Sequence, residues 1–333
     1  MRLKMINRLF LLIIVTVFFA CDDGGVGISK NITGKAGELV VVISEESWNS
    51  EPGKVIRQTL AQEQVSLPQD EPLFDLVKVP REAFKSIFQS TRNIVQTQIS
   101  PNVDSAKVIV QAKNPEEFVE VFNENKNRIM SYFLQAERER LAMNYNKYYE
   151  KAVYNVLIED FGITMKVPPG FQVAEQKKDF TWLRYDTPQI EQGIVIYTFP
   201  YVSDSAFTMN YLMRVRDSVL KANVPGPTEG SYMATERRVD QVFNILEHNG
   251  NYASEMRGLW RLRNDFMGGP YVSLAVLDVV NQRVIVVYGY VYAPNKDKRN
   301  YIRQVEAMLY SMELTNQKEN DNMNMEVEIR PES

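Results

Sequence analysis

The apolar positions of this chain fall into four regimes. Residues Leu9–Ala20 form an unbroken apolar block of twelve behind Arg2, Lys4 and Arg8, and it runs directly into Cys21. From Glu38 to about Ala112 short β-branched runs alternate with amphipathic stretches, and from Phe161 onward alternating strand-like runs dominate. Between them, Phe118, Phe122, Ile129, Phe133, Leu141, Tyr145 and Tyr148 recur at three- and four-residue steps or their sums, the period of a helix face.

This patterning predicts a strand over Glu38–Ser44 and a helix beyond Ser44–Ser47 whose start Pro52-Gly53 delays, with Val55, Ile56, Leu60 and Val65 as its inner stripe. A proline-bracketed loop follows at Leu67–Pro72, then a half-buried strand over Phe74–Val79. A short helix near Glu82–Phe88 and strands near Asn93–Ile99 and Lys107–Ala112 complete this part. Asn114, Pro115 and two glutamates form an N-terminal cap. With no Gly or Pro from Glu116 to Asp160, one helix to about Lys151 is predicted, roughly 50 Å long at 1.5 Å per residue.

The second half predicts strands at Phe161–Val167, Phe180–Tyr185, Gly193–Phe199, Val239–Leu246, Tyr252–Leu262 and Tyr271–Tyr292, the last folding back at Asn281-Gln282. Ser205 caps a helix carrying Leu212, Val215 and Val219. Asn295 caps a closing helix with Ile302, Val305, Leu309 and Met312 inward. The fold class is therefore α+β: antiparallel-rich sheets covered by helices, in two subdomains linked by a long helix. The boundaries are 1–20 signal peptide, 21–36 flexible tether, 37–152 N-terminal α/β subdomain, 153–315 C-terminal α+β sandwich, and 316–333 a polar, disordered tail. The C-terminal outline looks like the three-layer sandwich of photosystem-associated and Ran-binding small α/β domains.

Composition narrows the chemistry. A basic start, a short apolar block, a small residue and a cysteine are the layout of a lipoprotein signal peptide, too short to span a bilayer comfortably. Cleavage after Ala20 and acylation of Cys21 are expected, anchoring the body to a membrane through lipid. The formal charge is −4; with +3 in the first twenty residues, the remaining 313 stand at −7, which does not favour nucleic acid. Cys21 is the only cysteine and His248 the only histidine, so no disulfide, thiolate nucleophile or multi-histidine metal site is expected, and no cofactor. His248, before Asn249-Gly250, is expected in a turn or at the surface.

The candidate binding residues lie in MRGLWRLRNDFMGGP, Met256–Pro270. Arg257, Arg261 and Arg263 share one side of an alternating strand and Trp260 the other. Three guanidinium forks on one face suit an anionic ligand, or alternatively pair with acidic neighbours. Tyr288, Tyr290 and Tyr292 form a second row, fit either to stack on a sugar or to pack beneath a helix. No spacing of carboxylates marks an acid–base pair. The sequence points to a non-enzymatic binding or assembly module, with an envelope protein or a small anionic or glycan ligand as partner. The alternative is a carboxylate-dependent hydrolase of envelope or extracellular polymers.

Several segments together carry a family likeness: Cys21 followed by Asp22-Asp23, Gly34–Val41, Leu67–Phe74, Thr91–Val95, Arg257–Trp260 and Met267–Pro270. With these the mature chain resembles Bacteroidetes envelope lipoproteins of a domain-of-unknown-function family. The resemblance implies an outer-membrane lipoprotein, on the periplasmic or the surface face, and supplies no catalytic residues.

Overall fold

A computed structural model describes residues 35–80, 83 and 108–315. The signal block, Cys21, the tether up to Gly34, the tail, and the elements expected at 82–88 and 93–99 lie outside the described residues, apart from Ala83.

The first region is a small parallel sheet with helices against it. Strand β1 (Glu38–Val42) pairs in parallel with β2 (Asp75–Val79), Val40 opposite Val77. A parallel pair needs a crossover, and α1 (Glu45–Trp48) with α2 (Glu51–Leu60) supply it. Ser44 caps α1 by accepting the Ser47 N–H. Pro52 does not delay α2 but sits in its first turn, where its missing N–H is no loss. Val55, Ile56 and Leu60 are buried as expected, whereas Val65 lies past the helix end and is exposed. Residues 108–112 are not a strand; Val108 and Val110 pack against this cluster as irregular chain.

Helix α3 (Pro115–Lys147) is 33 residues long. Asn114 Oδ1 accepts the Glu117 N–H at 2.8 Å and Pro115 opens the helix, as the sequence predicts. Phe122 and Ile129 close the first core against α2. The helix stops at Tyr148 without any glycine or proline: the Glu150 N–H donates instead to Val167 O at 2.9 Å. Tertiary pairing thus overrides helix propensity, and α4 (Lys151–Phe161) starts anew, ending at Gly162 in the left-handed region.

The second region is built on one antiparallel sheet. Its strands are β4 (Gln172–Lys177), β5 (Phe180–Asp186), β6 (Glu191–Pro200), β7 (Tyr232–Thr235), β8 (Val242–His248), β9 (Asn251–Arg263), β10 (Gly268–Asp278) and β11 (Arg283–Tyr292). Their order is β4-β5-β6-β11-β10-β9-β7, with β8 pairing along the first half of β9. The expected strand over 161–167 shrinks to β3 (Ile163–Thr164), which pairs with β12 (Glu313–Leu314).

Both faces of the sheet are covered. On one lie α4 and α6 (Arg299–Leu309), over Leu183, Ile194, Ile196, Leu274 and Val287. On the other lies α5 (Met209–Asn223), over Val195, Met256, Trp260, Ala275 and Val286. Helix α5 is capped at Thr208 after a short 3-10 turn, Asp204–Phe207, rather than starting at Ser205. Two glycines set these distances. Gly193 faces Tyr290 across the β6–β11 pair, and the ring occupies the place of a Cβ. At Gly289 an added Cβ would overlap Val305 Cγ1, so α6 approaches the sheet only because that side chain is missing. The architecture is α+β, an antiparallel sheet covered by helices with a long helix between two regions.

Candidate functional site

Strand β9 alternates as expected. Met256, Trp260 and Leu262 point to the α5 side, while Glu255 and Arg257 meet α6 on the other. The structure does not gather the four candidate residues around open space. Arg257 donates through Nε and Nη2 to both oxygens of Glu255, at 2.8 and 2.6 Å, and through Nη1 to Glu306 of α6 at 3.0 Å. Arg261 lies 3.6 Å from Glu236, which Arg238 also holds, and Arg263 is exposed. Trp260 is buried, its Nε1 donating to Val291 O at 3.1 Å.

Arg257 belongs to a closed network that ties the long helix to the sheet. Arg138 of α3 donates to Glu306 at 3.1 Å and stacks over the Tyr310 ring at 3.8 Å, while the Tyr310 hydroxyl donates to Glu255 at 2.8 Å. Burial pushes the Glu306 carboxyl up, but Arg257 and Arg138 outweigh it and hold it below the usual carboxylate range. The partner Glu255, two residues away on the same strand face, is the one part of this network a sequence could have flagged.

A second joint lies at the start of α6. Asn295 does not cap this helix; it takes a left-handed φ of 57° in the turn ahead of it, and Lys298 holds the cap position. The Lys298 and Arg299 N–H groups donate to the Glu71 carboxylate at 2.7 and 2.9 Å. Arg299 continues to Pro72 O at 2.7 Å and Asp75 at 2.6 Å, and Arg303, one turn on, donates to Leu73 O and lies over the Phe74 ring. Burial, then the neighbouring Arg299, pulls the Arg303 guanidinium down to about 10. The segment Glu71–Asp75 therefore caps and clamps α6 from another region of the chain.

Beside this clamp opens a polar groove of about 680 Å3, lined by Gln69, Asn295, Asp297, Asn300, Tyr301 and Gln304 among others. Protein donors already occupy three of its amide oxygens: Lys298 Nζ on Gln69, Arg299 Nε on Asn300, and Gln192 Nε2 on Gln304. That fixes the amide planes and leaves the nitrogens of Gln69, Asn300 and Gln304 as N–H donors for a ligand. Its residues come from one loop and one distant helix start, with no local motif, so sequence reading passed over it.

The tyrosine row is structural. Tyr288 and Tyr290 are buried beneath α5 with Tyr271, and the Tyr290 hydroxyl donates to Glu191 at 2.6 Å. His248 is buried rather than at the surface: it ends β8, with Nε2 2.7 Å from Met312 O, while Asn249 and Gly250 make the expected turn at positive φ. Among the described residues no cluster of His, Cys, Asp and Glu could hold a metal ion, and no helix is long and apolar enough to cross a membrane.

Two solved structures are similar to part of this chain. One is described as a point mutant of the protein Mog1, the other as the Saccharomyces cerevisiae Ran-binding protein Mog1p. Each is 10% identical; the matches span 46% and 47% of this chain and 91% and 92% of theirs, with TM-scores of 0.31 and 0.30. At those scores the likeness carries no argument about fold or function. No curated protein matches the chain. Residues 32–146 match the family model described as Domain of unknown function (DUF8532), and residues 150–311 match the one described as Domain of unknown function (DUF4837), so the break between α3 and α4 falls between the two matched stretches.

Proposed function

We propose that this chain is an envelope lipoprotein, cleaved after Ala20 and anchored by acylation of Cys21 to the outer membrane, whose folded body is a non-enzymatic binding module. The groove beside the start of α6 is the observation that carries the reading. Its oriented amides, with Tyr301 and Asp297, suit a polyhydroxylated, acceptor-rich ligand of the glycan class better than an apolar one. Asp297 is the one carboxylate among its lining residues, whereas carboxylate-dependent glycoside hydrolysis needs two facing groups. The arginine row contributes Arg263 as an exposed cation and spends Arg257 on structure.

The test is calorimetric titration of the full chain with soluble oligosaccharides from bacterial envelope polymers. Binding weakened at least tenfold by Asn300→Ala with Gln304→Ala, at unchanged melting temperature, supports the groove; unchanged binding by the double variant removes it. Metabolic labelling with a palmitate analogue, present in the wild type and lost in Cys21→Ser, tests the anchor separately. Protease shaving of intact cells then distinguishes the surface face from the periplasmic one.

A further inference from the structure

The large sheet has two open sides, and three strands lie along them. Strand β4, on one side, is interrupted by a bulge between Val173 and Glu175 and ends in Glu175, Gln176 and Lys177, features that discourage a further strand from pairing. On the other side β7 and β8 lie end to end along β9. The chain at Val224 covers β7: the Met233 N–H donates to Val224 O at 3.1 Å, and Pro225 bridges to Tyr232. Strand β8 has no such cover. Among the described residues, Val242–Glu247 make backbone hydrogen bonds to β9 alone, so alternate N–H and C=O groups point outward. Neither proline, lysine nor a bulge guards this edge.

The side of β8 that faces α5 is largely apolar. Phe243, Ile245 and Glu247 stand opposite Met256, Ser254 and Tyr252 of β9, and the outer part stays open, with Ile245 49% and Tyr252 48% exposed. A matching strand is written in the same chain. The tail after Thr315 is polar as a whole, yet Met323, Met325, Val327 and Ile329 alternate with Asn324, Glu326 and Glu328, and Pro331 closes the run. That is the period of a strand with one apolar face. The chain also leaves the fold in the right place. Met312 O lies 2.7 Å from His248 Nε2 and accepts Asn249 Nδ2 at 3.0 Å, at the very end of β8. Thr315, whose N–H donates to Gly162 O at 3.0 Å, follows three residues later, on the order of 10 Å away. From there Asn316–Asn322 can span about 23 Å, enough to turn back and enter beside β8 from its His248 end.

We propose that Met323–Ile329 pairs with the outer edge of β8 as an antiparallel strand of this same chain. Its methionines, Val327 and Ile329 lie on the shelf of Phe243, Ile245 and Tyr252, and Glu326 and Glu328 turn to the opposite side. A slip of one residue would put the glutamates on the apolar shelf, so the alternation fixes which face turns inward. The pairing closes the one unguarded edge of the sheet against association with other chains. A strand from a partner protein enters there only by displacing the tail. The proposal depends on neither the groove nor the lipid anchor.

Hydrogen exchange of the β8 amides tests it. Ending the chain after Thr315 should accelerate the outward amides of β8 by roughly tenfold or more and leave those of β10 and β11 unchanged. Met325→Lys with Val327→Lys, in the full chain, should do the same, whereas Glu326→Lys with Glu328→Lys on the opposite side should not. A synthetic peptide of residues 321–331, at the millimolar concentration that a short tether replaces, should restore protection to the shortened chain. Equal β8 exchange with and without the tail overturns the pairing, as does equal acceleration by both lysine pairs. Protection that falls on dilution of the full chain assigns the edge to a second copy and overturns it too.

Discussion

The two faces of the large sheet handle buried arginine in opposite ways. Beneath α6, Arg257 is met by two carboxylates, and a second arginine and a tyrosine hydroxyl complete the ring. Beneath α5, Arg216 is met by aromatic faces, a thioether and one hydroxyl, with no carboxylate in contact. The first arrangement joins two stretches matched to different families, so its geometry must be specified across a boundary. Directional, charge-assisted bonds do that better than apolar packing. The second lies within one domain, where the packed layers already fix the geometry, and its carboxylate, Asp217, is reached only through the Thr235 hydroxyl.

That contrast predicts where loss of charge hurts most. Glu306→Leu leaves Arg257 and Arg138 facing each other without their shared acid, and should destabilise the fold by about 3–5 kcal/mol in urea denaturation. Arg216→Met, by contrast, exchanges a cation for an apolar side chain among tyrosines. It should shift stability by about 1 kcal/mol or less in urea denaturation. Equal losses from the two variants would mean that both faces use charge in the same way.

Next in size is the approach of α6 to the sheet. Gly289→Ala places a methyl against Val305, and overpacking of this kind costs about 1–3 kcal/mol. The matching change on the clamp, Glu71→Gln, keeps the shape but weakens the acceptor for the Lys298 and Arg299 N–H groups. It should cost about 1 kcal/mol and act on the joint between regions. Hydrogen exchange of the first α6 amides distinguishes the two: Glu71→Gln should accelerate those amides locally, whereas Gly289→Ala should loosen the whole sheet face.

Much of this architecture was legible in the residues, and the failures share a cause. Helix α3 as far as Lys147, the β10–β11 hairpin, and Ile302, Val305 and Leu309 of α6 rest on local periods and formed where those placed them, whereas Met312 is buried past the end of the helix. Strand β7 was missed because Tyr232–Thr235 is too short to show alternation. Asn295 had the right residue type for a cap, but the cap function went to Glu71, more than two hundred residues away. The break at Tyr148 and the burial of His248 likewise depend on Val167 and Met312, partners that no local window contains. The same holds for the groove, whose Gln69 and Gln304 meet only once α6 is docked.

The smallest effect concerns the joint between β8 and β12. Burial disfavours the charged imidazole of His248 and lowers its pKa below the ordinary 6.5, although the bond to Met312 O partly offsets this. A histidine kept neutral in the fold but free to protonate when unfolded binds more protons in the unfolded state. Its contribution is therefore intact above pH 6.5 and is lost as the pH falls below that value toward the folded-state pKa. Between about pH 7 and pH 6 the loss from one such group is at most about 0.7 kcal/mol. It should be visible as a lower urea midpoint at the acid end of that window in the wild type and absent in His248→Gln, which retains an N–H donor without a titration. Glu236, drawn down to about 2 by Arg238, and Glu306, held low by its arginines, stay ionised throughout that window. A wild-type slope that survives in His248→Gln would place the proton uptake elsewhere and leave the β8–β12 joint indifferent to pH.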